Sequence, residues 1–269
     1  MDTTDDARAR IDTSVAHPAR RYNYWLGGKD HFAADRASGD AIAAAMPGVK
    51  LMAVENRAFM GRAVRYLAER GIRQFLDIGT GIPAPNNTHE IAQAVDPASR
   101  VVYVDNDPIV LTHARALLTS APGGVNAYLD ADLREPDKIL SHPDLAATLD
   151  LSQPVGLLLV AVLHFVREDE HPQEIIDKLT GVLAPGSFVV ASHATWEFLP
   201  DDVIAKLTAN NADGRFQART GARFAELLSA FDLVEPGIAS VARWHAEGVP
   251  GPRPSAEDVA CHGAVARIR

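Results

Sequence analysis

Three acidic motifs recur along the chain, each at the end of a short apolar run: LDIGTG at 76–81, VVYVDNDP at 101–108 and ADLREP at 131–136. They set Asp77, Asp105 and Asp132 where a buried strand would give way to a turn. Carboxylates at such places accept hydrogen bonds from hydroxyls and amino groups, attract cations and repel phosphates. The first motif adds Gly79 and Gly81, a pair that suits either a plain turn or a close backbone approach to a ligand. A loop for a dinucleotide holds pyrophosphate on backbone N–H groups and the helix N-terminus that follows at once. Pro83 and Pro85 have no N–H to give, and they postpone the helix to about Asn87 or Thr88, good caps ahead of Glu90. Ala84 does keep the G-x-G-x-x-A spacing, so a nicotinamide oxidoreductase stays as an alternative. A cationic nucleoside without phosphate suits the loop better, and S-adenosylmethionine (SAM) is such a ligand.

Other residues carry two readings each. Of the acids in the second motif, one caps the helix that starts at Pro108 and the other can accept both ribose hydroxyls; Asp107 is read as the cap and Asp105 as the ligand. Asp132 is either a solvated turn acid or a reader of the adenine amino group, with the Leu133 N–H on the ring. His164, in VLHFV, follows an apolar run and is either a general base or a packed histidine beside the ligand. His193 is a second candidate base, while His89 belongs to the helix after the glycine loop. Arg57 is either a surface charge or a planar fork for the SAM carboxylate. In RRYNYWLGGKDHF (20–32), Tyr24 and Trp25 are either core or part of a lid over the ligand. No His, Asp or Glu group has metal-ligand spacing, so no metal is expected.

These residues need a frame. Apolar runs at 74–78, 101–105, 125–129, 155–163 and 187–192 read as buried parallel strands. Helical stretches at 89–95, 108–118, 137–148 and 172–183 alternate with them, which predicts a doubly wound sheet. A helix-prone insert (196–211), a helix (221–230) and two last strands (233–244 and 259–268) follow. Before the sheet, residues 1–16 are polar and expected to be flexible, and 17–71 are helical, with Gly71 as a C-cap. The net charge of −9 argues against nucleic acid and anionic membranes as partners. The lone cysteine, Cys261, forms no internal disulfide, and neither a signal peptide nor an 18-residue apolar run occurs. A cytoplasmic protein is expected.

LDIGTG, VVYVDNDP, ADLREP and LAPGSFVVASH (183–193) together resemble the class I SAM-dependent methyltransferases. RRYNYWLGGKDHFAADR (20–36), LDIGTGIPAPNNTHE (76–90), VDNDP and VLHFV resemble more narrowly an actinobacterial family of SAM methyltransferases, over roughly 10–245. Pro83 departs from the class pattern, which has a third glycine there. The resemblance implies a seven-stranded Rossmann-like sheet with an antiparallel last strand, in a domain at 72–269 with an insert near 194–218, under a helical lid at 17–71. It implies that Asp77, Gly79, Thr80 and Gly81 surround the methionine part, with Asp105 on the ribose and Asn106 beside the adenine. Asp132 and Leu133 would read the adenine edge, Arg57 and Tyr24 would touch SAM from the lid, and Ala161 to His164 would pass near the sulfonium. The expected function is methyl transfer to a small molecule, leaving S-adenosylhomocysteine (SAH). The alternative is a non-catalytic SAM-binding regulator or partner subunit. Oligomeric state stays open, and a homodimer is compatible.

Overall fold

The computed structural model describes residues 12–117, 120–211 and 214–269. The first eleven residues, which fall in the segment expected to be flexible, lie outside the described residues, as does the expected helix end at 118.

Eight strands form one sheet in the order β3-β2-β1-β4-β5-β8-β6, with β7 also on β8. The parallel strands are β1 (Gln74–Ile78), β2 (Arg100–Asp105), β3 (Val125–Asp130), β4 (Gly156–Val160) and β5 (Phe188–Ala194). The long β8 (Cys261–Arg267) runs antiparallel against β5. The expected strand at 233–244 is two short pairings instead, β6 (Asp232–Leu233) and β7 (Ala239–Ser240), which brings the count to eight. Pro236 and Gly237 separate them; proline cannot donate to the ladder and glycine adds no side chain to pack.

The alternation of side chains splits the core into two layers. Leu76, Ile78, Val102, Val104, Leu157 and Leu159 face one side. Phe75, Val101, Tyr103, Leu158 and Val190 face the other, beneath the long N-terminal helix. Among the described residues three helices precede the sheet: α1 (Pro18–Trp25), α2 (Ala33–Ala45) and α3 (Val49–Glu69). α3 buries Ala53, Asn56, Phe59, Ala63 and Leu67, a helical stripe laid on that second layer. It ends in a Schellman motif: Gly71 sits at φ +91°, its N–H bonds the Ala68 carbonyl, and the Ile72 N–H bonds that of Leu67.

Crossover helices α4 (Thr88–Val95) and α5 (Pro108–Leu117) join the first three strands. The expected helix at 137–148 is broken into α6 (Pro136–Leu140) and α7 (Pro143–Thr148), because Pro143 restricts His142 to an extended conformation, ψ 130°. Then come α8 (Pro172–Thr180), α9 (Asp201–Asn210) in the insert, α10 (Gly221–Leu227) and the short α11 (Ala256–Val259). The chain leaves β1 toward β2 and β3 on one side and returns through β4 and β5 on the other, so the switch point lies between β1 and β4. Ligands of open sheets bind outside the carboxyl ends of strands at such a point. Among the described residues no helix is long and apolar enough to cross a membrane.

Candidate functional site

A cavity of about 520 Å³ opens at that switch point, in the size range of small-molecule sites (roughly 300–1,000 Å³). Asp77, Gly79, Thr80, Gly81, Asp105 and Asn106 line it from the first two strands. Asp132 and Leu133 line it from the turn after β3, and Ala161 and His164 from the turn after β4. Arg57 reaches it from α3. Every expected cofactor-binding residue but one, and one of the two candidate bases, therefore lines a single space.

The floor is the glycine turn. Gly79 and Gly81 both have positive φ, 73° and 70°. A Cβ on Gly79 would lie 2.6 Å from Val162 Cγ2, whereas one on Gly81 would meet nothing within 4 Å. The first glycine is therefore needed for packing of the loop against the β4 turn, and the second leaves backbone open to a ligand. The helix after this turn begins only at Thr88, with Glu90 accepting the Asn87 N–H at 2.8 Å. No helix terminus stands behind Gly81, so the loop lacks the feature that holds a pyrophosphate.

Arg57 secures the intervening loop. Its Nη2 donates to the carbonyl oxygens of Ala84 and Asn86, both at 3.2 Å, and to Asn87 Oδ1 at 2.9 Å. Its Nη1 meets Met60 Sδ. Asp77 is buried beside it and accepts the Thr88 hydroxyl at 2.6 Å. Burial pushes the Asp77 carboxyl up to about 6, against that hydrogen bond and the Arg57 charge.

Asp105 turns both oxygens to backbone: Oδ2 accepts the Gly81 N–H and Oδ1 the Asp107 N–H, each at 2.9 Å. Burial raises its pKa in spite of these bonds. Each oxygen keeps one lone pair, so the carboxylate that shapes the glycine turn can still accept two hydroxyls. Asp107 is the cap, its Oδ1 accepting the Ile109 N–H at 3.0 Å. Its Oδ2 is 3.1 Å from Arg20 Nε and 3.0 Å from His17 Nδ1, which fastens α1 to the sheet.

Asp132 is more heavily engaged. Its Oδ1 accepts the Arg134 N–H and Nε, and its Oδ2 accepts Arg134 Nη2 at 2.6 Å and Asn106 Nδ2 at 2.7 Å. Burial pushes this carboxyl up, but those bonds outweigh it and hold it at about 2. All four of its lone-pair positions are in use, so an adenine amino group would have to replace one of these donors. The Leu133 N–H carries no hydrogen bond among the described residues.

β4 ends sooner than its apolar run. Ala161 has φ +55°, which turns the chain into a 3-10 helix at Leu163–Phe165. A non-glycine residue in this region costs about 1–2 kcal/mol and is kept only where its surroundings fix it. Here the Ala161 N–H bonds Ser192 Oγ at 2.9 Å. Arg219 does more: its guanidinium meets the Leu163 and Val166 carbonyls (3.0 and 2.7 Å), Glu168 Oε1 (2.6 Å) and His193 Nε2 (2.9 Å). His193 is thereby buried in the support of the turn and does not line the cavity. His164 does, with Nδ1 accepting the Ala194 N–H at 3.5 Å.

Tyr24 is the exception. Its hydroxyl donates to Asp40 at 2.7 Å and its ring packs on His31, outside the cavity. Pro18, Arg21, Tyr22 and Trp25 form the inward stripe of α1, and Tyr24 stands about 200° round the helix from Tyr22. The i, i+3, i+4, i+7 spacing of that stripe was the signal for Tyr22. Arg219 had no such signal.

Residues 4–269 match the family described as S-adenosyl methyltransferase. A DUF574 family protein from Streptomyces avermitilis is 46% identical with a TM-score of 0.89, over 97% of this chain and 100% of its own. A proposed methyltransferase from Thermobifida fusca is 38% identical with a TM-score of 0.87, over 96% of this chain and 97% of its own. No curated protein matches the chain. With acids at three strand ends, a phosphate-poor glycine loop and this match over nearly its whole length, the chain belongs to the S-adenosyl methyltransferase family, and its cofactor is S-adenosylmethionine.

Proposed function

We propose that the protein transfers the methyl group of SAM to a small molecule held between the strand ends and the N-terminal helices. One observation carries this: the cavity lined by the three strand-end acids is lined also by Trp25, Met46, Trp196 and Phe216. A protein that only bound SAM would have no use for that apolar, aromatic end.

In this reading Asp105 accepts the ribose hydroxyls, Asn106 lies beside the adenine, and Asp132 with the Leu133 N–H takes the adenine edge. The backbone from Gly79 to Gly81, including Thr80, cradles the methionine part. Asp77 supplies negative charge close to the amino group and sulfonium, and Arg57 Nη1 is placed for the carboxylate. Ala161 and His164 stand at the junction of the two compartments. The cofactor supplies an activated methyl group, so the chain has to orient two reactants and exclude water.

Titration calorimetry with SAM, SAH and NAD tests the reading. SAM and SAH should bind, and Asp105→Asn should weaken both by roughly 10- to 100-fold through loss of charge-assisted hydrogen bonds. Binding of NAD in place of SAM would refute it.

A further inference from the structure

The acceptor chamber has a chemical character of its own. Its walls are Trp25 from α1, Met46 from the turn between α2 and α3, Val49 and Met52 from α3, and Trp196 and Phe216 from the two ends of the insert. Trp196 and Phe216 stack with centroids 5.9 Å apart and planes 23° from parallel. Phe216 in turn meets the His164 ring at 4.9 Å, and Phe165 meets it at 4.5 Å. An aromatic wall thus runs unbroken from the insert to the histidine at the junction with the cofactor compartment. Flat rings are what such a wall holds best.

The polar end of that wall is His164. A backbone N–H has only one role, so the bond from Ala194 to Nδ1 makes Nδ1 the acceptor and leaves the proton of the neutral ring on Nε2. Among the described residues no hydrogen bond uses Nε2. The charged and titratable groups around the ring are Arg21 from α1, which lines the cavity, His193 from β5, and Arg219 paired with Glu168. Burial first, and then these three neighbours, hold His164 neutral, well below the usual histidine range. Arg215 and Arg167 also line the cavity, Arg167 paired with Asp169 at 2.7 Å, and Glu170 faces Arg134 at 3.4 Å.

We infer that the methyl acceptor is a flat aromatic compound bound through an oxygen anion, a phenolate, and that His164 donates its Nε2–H to that oxygen and takes no proton from it. The proposal rests on the methyltransferase reading above and adds the acceptor class to it. A phenolate arrives with its electron pair exposed and its proton already lost to solvent. An N–H donor aimed at the oxygen favours that form over the neutral phenol.

The probe for the test is 7-hydroxycoumarin, whose phenol and phenolate forms are excited at different wavelengths. It is titrated into the wild-type protein saturated with SAH, and its acid dissociation is followed in the bound state. The expected result is binding, with bound phenolate favoured at least tenfold over the free probe at the same pH, and at least tenfold weaker binding of coumarin, which lacks the hydroxyl. In protein that still binds SAH, His164→Leu should lose the phenolate preference, while His164→Gln, which keeps an N–H donor, should retain part of it. Proton-detected nitrogen NMR should show the His164 hydrogen on Nε2. Failure of the probe to bind a protein that binds SAH would overturn the acceptor class and leave the SAM reading standing. A phenolate preference unchanged in His164→Leu, or a hydrogen on Nδ1, would overturn the role of His164. Failure to bind SAH would remove both readings.

Discussion

Asp77 offers a sharp test of the electrostatics at the floor of the site. Its carboxyl is buried, meets one hydroxyl at 2.6 Å and is pushed from 3.8 to about 6. A raised carboxyl binds its proton more tightly in the folded chain than in the unfolded one. Its contribution to stability is therefore fully present below pH 3.8 and lost as pH rises through 6. The whole span is worth about 3 kcal/mol at about 1.4 kcal/mol per pH unit. Asp77→Asn keeps an oxygen for the Thr88 hydroxyl and cannot ionise, so it escapes the loss. Denaturant unfolding of both proteins between pH 4.5 and 7.5 should show the variant gaining about 2 kcal/mol on the wild type over that interval, with the gap flat above pH 7. SAM should also bind with release of a fraction of a proton near pH 6, since its positive charges favour ionised Asp77, and the variant should release none. A stability gap that does not change with pH would refute the burial of an ionisable group in this form.

Two further perturbations address the parts that hold the site. Arg20→Met leaves the buried Asp107 without its guanidinium and should cost about 3–5 kcal/mol locally; faster amide exchange over residues 17–25 with weaker SAH binding would show it, and unchanged exchange would count against it. Arg219→Met strands the Leu163 and Val166 carbonyls and leaves Glu168 with Arg223 alone, so thermal unfolding should fall by on the order of 10 °C, and an unaltered melting temperature would mean the turn after β4 stands without it.

Much of the frame was legible because each element carried its own local signal. The alternation of apolar runs and helical stretches places all five parallel strands. The Asn87–Glu90 start of α4 and the Asp107 cap of α5 are local chemistry, readable within four residues. What escaped the sequence is what distant residues decide. The run at 155–163 reads as one strand because Leu163 is as buried as Leu157, yet the chain turns at Ala161. Hydrophobicity reports burial and does not distinguish a strand from a packed turn. Arg219, between Ala218 and Thr220, looks like any other arginine. Its partners lie 26 to 56 positions back along the chain, and only the fold brings them together.

The two acids of the second motif show how α1 and the glycine turn are joined. Asp105 accepts the Gly81 N–H and the Asp107 N–H, so it fixes the glycine turn and the start of α5 together. Asp107 accepts from Arg20 and His17, so the same turn also carries α1. A ligand hydroxyl drawn to Asp105 therefore acts on a backbone segment that α1 already grips two residues away. The inward stripe of α1 presents Tyr22 and Trp25 to the acceptor chamber from the other end of that helix. On the proposed reading, a shift of the Asp105–Asp107 turn on cofactor binding would be passed to the chamber wall through this helix of eight residues. Linkage makes such a coupling reciprocal: whatever steadies α1 over an acceptor tightens the cofactor, and the cofactor in turn steadies α1.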